Sequence, residues 1–108
     1  MNYFHQQAGC LYEWDTHKAR QNSLKHQVSF ELACEVFHDP DILSLQDLSE
    51  NYYGEERWRH LGKVDNCLIL LVVTTERKDA IRIISARAAL PSEKRAYYKG
   101  DARYDYTR

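Results

Sequence analysis

The chain has 108 residues, of which 44% are hydrophobic and 29% charged. That is the size and composition of one globular domain and excludes a disordered chain. A formal net charge of −1, taken alone, argues against a nucleic-acid binder, because such proteins usually carry a basic excess.

Leu11 to Trp14 alternates apolar and charged residues and predicts a short strand. Asp15 can cap the helix that follows, from Thr16 to about Lys25. Its apolar residues are few, Ala19 and Leu24, so it is expected to lie largely solvated on a sheet. Ser29 is a second cap, with Glu31 in the first turn. Phe30, Ala33, Cys34 and Phe37 then share one helical face until Asp39-Pro40 stops the helix. Ile42 to Leu48 is a weak strand candidate. Arg57 to Leu61 is a better one, with Trp58 and His60 on one side and Arg57, Arg59 and Leu61 on the other. Cys67 to Thr75 is apolar on both faces, as a central strand should be. After a turn at Lys78-Asp79, Ala80 to Ala86 forms the last strand. Strict alternation there sets Ile81, Ile83 and Ser85 opposite Arg82, Ile84 and Ala86. It also points Arg82 and Arg87 to opposite faces unless a bulge intervenes. A closing helix has Pro91 at its first position, Glu93 at its third and Gly100 just past its end. Asp101 to Arg108 is expected to fray. The order β-α-α, three or four strands, then α, predicts an α+β domain over residues 1–108 with a largely antiparallel sheet.

No apolar run approaches the roughly 20 residues that cross a bilayer, and Met1 to Gln7 lacks the pattern of a secretion signal. Three cysteines without CxxC spacing point to reduced thiols in a cytoplasmic protein, not to disulfides or a zinc site. There is no HExxH, no phosphate-cradling glycine loop and no GxSxG, so neither metal nor cofactor is expected. The charges are uneven. Glu31, Glu35, Asp39, Asp41, Asp47 and Glu50 make the middle acidic, whereas basic residues dominate from Arg57 onward, so a local basic face can exist despite the neutral total.

Several pieces recur in a fixed order: Trp14-Asp15, Lys18-Ala19, Asn22, Lys25-His26, Val28-Ser29-Phe30, Asp39-Pro40, Gly54-Glu55-Glu56-Arg57, Gly62, Ile81 to Arg87, and Glu93, Arg95 and Tyr97. This set, spanning about residues 11–98, resembles the BrnT toxins. The resemblance implies a fold like the RelE group of ribonuclease toxins and RNA cleavage that stops translation. It also implies a BrnA-like antitoxin partner with a ribbon-helix-helix part, through which alone the complex would bind DNA. Two positions depart from the family pattern. Gln27 stands where a glycine is usual, and Leu90 where a Thr or Ser opens the last helix.

The implied chemistry, metal-free attack by a 2′-hydroxyl, needs a proton acceptor, a donor to the leaving 5′-oxygen and cations around the phosphorane. His26 is the acid/base candidate, with Lys25 beside it, although both could merely complement the helix dipole. Arg57, Arg77 and Arg82 are candidate phosphate clamps. Lys18, Trp58, Arg87 and Tyr97 are candidate RNA contacts, although the core is the more usual place for the two large aromatics. Glu55 and Glu76 are supporting residues, Glu55 as a base or as the orienting partner of Arg57. The alternative function is a non-catalytic RNA- or protein-binding module of the same fold.

Overall fold

The computed structural model describes residues 1–47 and 56–100. The elements run β1 (Asn2–Gln7), β2 (Cys10–Asp15), α1 (Thr16–His26), α2 (Phe30–Ala33), a 3-10 turn (Cys34–His38), β3 (Leu43–Asp47), β4 (Arg57–Val64), β5 (Leu68–Glu76), β6 (Ile81–Ala88) and α3 (Pro91–Lys99). The six strands form one sheet in the order β1-β2-β6-β5-β4-β3. All neighbours are antiparallel except β2 and β6, which run parallel. The expected α+β class with a largely antiparallel sheet is therefore present. Leu48 and the tail after Gly100 fall outside the described residues.

The sequence reading missed β1. It pairs with β2 over its full length, from Asn2 opposite Asp15 to Gln7 opposite Cys10. Apolar alternation does not mark it, because only Tyr3 and Phe4 stand out among polar residues. Its turn at Ala8-Gly9 has positive φ at both positions, the geometry that two-residue hairpins require.

Side-chain alternation divides the sheet into two faces. Tyr12, Trp14, Leu70, Val72, Ile83 and Ala86 pack under Val28, Phe30, Ala33, Cys34 and Val36, forming the larger core on the side of α1 and α2. On the other face Leu61, Ile69 and Leu71 meet Ala96 and Tyr97 of α3 in a smaller cluster. That cluster covers only one end of its face. Gly62 is required at the β4 crossing, since a Cβ there would stand 2.6 Å from the Cβ of Val36.

Strict alternation in β6 fails, and this corrects the expectation. Val73 pairs with Ser85 but Thr74 pairs with Ile83, so Ile84 is an extra residue, a β-bulge. Ile83 and Ala86 consequently both face the large core. Arg82 and Arg87, opposite Thr75 and Leu71, share the other face.

Asn22 holds this irregular stretch. β2 reaches β6 at Tyr12–Ile81 and Glu13–Arg82, so among the described residues no strand lies beside the outer edge of β6 near Ala86. From α1, the Asn22 side chain donates to the Ala86 carbonyl at 2.8 Å and accepts from its N–H at 3.1 Å. The same amide donates to the Val28 carbonyl at 3.0 Å. Both departures from the family pattern have visible consequences. Gln27 sits at φ 57°, ending α1 in the left-handed region. At α3 only one half of a capping box exists: Glu93 accepts from the Leu90 N–H at 2.8 Å, but the Leu90 side chain can accept nothing in return.

Replacing Asn22 by Ala strands three buried backbone groups and should lower unfolding free energy by about 3 kcal/mol or more in urea titration. Leu90→Ser should act oppositely, adding about 1 kcal/mol, because Leu90 is half exposed and loses little on replacement. An unchanged midpoint in either titration refutes the corresponding account.

Candidate active site

The part of the α3-bearing face that the helix does not cover carries a row of side chains running across the sheet, of which Glu13 and Thr75 are themselves buried. Asp47 on β3 is opposite Arg57 on β4, Arg57 opposite Thr75 on β5, Thr75 opposite Arg82 on β6, and Arg82 opposite Glu13 on β2. Phe4 on β1, opposite Glu13, ends it. Two strand spacings separate Arg57 from Arg82, roughly 10 Å, with the short Thr75 side chain in register between them. A row of this kind can receive an anion between two guanidinium groups, each able to present two parallel donors.

Arg82, Arg59 and Arg87 each have an acidic partner. Arg82 Nη1 donates to Glu13 Oε2 at 2.9 Å, and the Asn2 amide oxygen lies 3.3 Å from both Nη1 and Nη2. Arg59, next to Arg57 on the same face, donates to Asp47 at 3.1 Å. Further along β6, Arg87 grips Glu93 with both nitrogens at 2.8 and 2.9 Å. Glu93 is fully buried, so this fork ties the start of α3 to the sheet. Thr75 donates its hydroxyl proton to the Glu56 carbonyl at 2.6 Å.

The structure brings together only some of the residues singled out from sequence. Arg57 and Arg82 share the row. Arg87 lies on the same face but nearer α3, committed to Glu93. Arg77 is exposed just past β5, where its N–H donates to the Ala80 carbonyl at 2.9 Å. Glu76 is opposite Ile81 and alternates to the helix-covered face. Trp58 also points to that face, opposite Thr74. Tyr97 is a core residue and not an open stacking platform: its ring is buried, and its hydroxyl donates to Asp39. Lys18, Lys25 and His26 belong to α1, across the sheet from the row, with both lysines exposed. The sheet thus separates His26 from the arginines it was expected to serve. Glu55 lies outside the described residues. Sequence reasoning missed Glu13, Arg59 and Thr75. Glu13 carried a signal, since it alternates with Tyr12 and Trp14, which face the core.

Burial shapes the other titratable groups. His60 sits under Phe37, between Ser44 (Oγ to Nδ1, 2.7 Å) and Thr74 (Oγ1 to Nε2, 2.9 Å). Desolvation lowers its pKa to about 4. Burial likewise pushes the Cys34 thiol up to about 12. Asp39 behaves differently. Burial would raise its pKa, but the Tyr97 hydroxyl and the backbone N–H groups of Lys63 and Asp41 hold the carboxyl below its ordinary value. Among the described residues no three His, Cys, Asp or Glu side chains gather as a metal site would need. No helix among them is long and apolar enough to cross a membrane.

Comparison with known proteins gives a consistent picture. The family model described as the ribonuclease toxin BrnT of type II toxin-antitoxin systems matches residues 14–93. Among solved structures, the chain is similar to the 1.1 Å crystal structure of the Brucella abortus ribonuclease toxin BrnT. The TM-score is 0.54 at 24% identity, covering 71% of this chain and 92% of that one. No curated protein sequence matches.

The His60 environment predicts an acid limb in stability. The unfolded imidazole titrates near 6.5 and the folded one near 4. Below pH 6.5 the unfolded chain therefore binds a proton that the fold refuses, and stability falls as pH drops toward 4. Between pH 7.5 and 5 this contributes a loss of about 2 kcal/mol. Urea titrations of wild type and His60→Gln should show a clearly flatter pH slope in the variant, and parallel slopes would contradict the assignment.

Proposed function

The chain belongs to the BrnT ribonuclease toxins of type II toxin-antitoxin systems, and from that premise we propose that it cuts RNA on the open face of the sheet. The observation that carries the proposal is the row Arg57–Thr75–Arg82–Glu13, in register across four strands. Arg57 and Arg82 hold the scissile phosphate from two sides. Their fixed positive charge stabilises the phosphorane as negative charge builds on it. The 2′-hydroxyl attacks phosphorus in line and gives its proton to the Glu13 carboxylate. The bond to the 5′-oxygen breaks, and that oxygen takes a proton from water. The products are a 2′,3′-cyclic phosphate and a 5′-hydroxyl, with no metal ion required. This assignment prefers Glu13 to His26 as base, because alternation puts Glu13 beside Arg82 and α1 lies on the opposite face.

A type II toxin family implies an antitoxin partner. We take the partner to be BrnA-like, with a ribbon-helix-helix part that carries any DNA contact, and the site of action to be the cytoplasm, where RNA cleavage halts translation. We place the fold in the RelE group, as the sequence resemblance implies.

The test uses purified protein, end-labelled RNA and excess EDTA. Cleavage should persist in EDTA and leave cyclic phosphate ends. Glu13→Gln and Arg82→Lys, which each keep a hydrogen bond across the pair, should each lower kcat about 100-fold. Loss of activity in a folded His26→Ala protein would move the base to α1 instead. RNA left intact by the wild type, with and without ribosomes, would replace the ribonuclease by the non-catalytic binding module.

A further inference from the structure

β1 lies wholly before the residues that match the family model, 14–93. It is nonetheless a full partner of β2, and it widens the open face by one strand beyond Glu13. Its alternation sorts its side chains by role. Tyr3 and His5 turn to the other face and pack on the Trp14 indole, with ring centroids 5.3 and 5.5 Å away. Asn2 and Phe4 turn to the row. Asn2 reaches Arg82. Phe4 remains 58% exposed, although it lies in register with Glu13 and two strand spacings, roughly 10 Å, from Arg82.

An exposed phenyl ring in line with a phosphate-binding arginine suits one kind of occupant. Arginine takes the phosphate, and the ring takes the face of a neighbouring base. A base can reach it only when unstacked, because in a duplex both of its faces are covered. We infer that β1 is a substrate-binding extension in which Phe4 stacks on a base flanking the scissile phosphate, so that this toxin selects single-stranded RNA. The inference rests on the location of the site given above, but not on the cutting step.

Binding is therefore measured apart from cleavage. The probe is a fluorescent single-stranded 2′-O-methyl oligonucleotide, which lacks the attacking hydroxyl, with the same sequence as a duplex for comparison. Full-length wild type, Phe4→Ala and Phe4→Trp are titrated at low salt. Phe4→Ala should bind the single strand about tenfold more weakly, and Phe4→Trp should bind at least as tightly as wild type. All three should bind the duplex alike, and with Phe4 exposed their melting temperatures should agree. Removing one base beside the central phosphate should weaken wild type and leave Phe4→Ala unaffected. Equal affinity of wild type and Phe4→Ala for the single strand overturns the inference. So does a variant that alters only antitoxin binding or self-association, which would make the β1 surface a protein contact. If wild-type enzyme fails to cut ordinary RNA, the ribonuclease reading falls, and the binding comparison still decides the role of Phe4.

Discussion

The Asn22 amide is the contact on which the rest of the sheet depends. β6 must do two things that a regular strand cannot. It must point Ile83 and Ala86 into the same core, and it must turn Arg82 and Arg87 to the opposite face. The extra residue at Ile84 permits both, but a bulge weakens the ladder and increases local twist. Asn22 compensates by imitating a neighbouring strand, offering a donor and an acceptor to Ala86 where β2 has already turned away. Its third bond, to Val28, fixes the exit of α1 against the same point. One side chain thus couples the helix layer, the strand irregularity and the orientation of the arginines.

The near-zero net charge is compatible with the proposed anion-binding face because arginines on it are paired with acids. Glu13, Asp47 and Glu93 each hold one arginine in place. In water such pairs contribute little to stability. On a partly buried sheet face they fix guanidinium planes that would otherwise sample many rotamers. A phosphate bound as proposed would meet donors that are already oriented, and it would compete with a carboxylate for them. The fork to Glu93 differs from the other two. Its acid is fully buried, so it serves the attachment of α3 more than the open face.

Much of the architecture was legible because it follows short-range rules. The caps at Asp15 and Ser29 accept the backbone bonds expected of them, from Lys18 and Leu32. The apolar run of β5 is indeed the central region of the sheet. The alternation of β4 correctly grouped Arg57 with Arg59. What failed depended on pairing partners that a single strand does not display. A bulge is defined by the strand opposite, so nothing within Ile81 to Arg87 announces Ile84 as the extra residue. β1 is stabilised by stacking on Trp14, a contact made only once the hairpin closes. Where His26 of α1 lies relative to the arginines of the sheet is a tertiary property that neither segment displays on its own. Tyr97 could have been a stacking platform or a core residue. The carboxylate of Asp39, 58 residues earlier in the chain, decides for the core.

The hairpin of β1 and β2 also changes what counts as the minimal domain. Trp14 is only 3% exposed because Tyr3 and His5 lie across it. A chain that began at β2 would bare that indole and leave one side of β2 as an unpaired edge. Such an edge, flat and aromatic, is the usual starting point for strand-to-strand aggregation. The first strand therefore also shields this edge, and it cannot be removed as though it were an ornament.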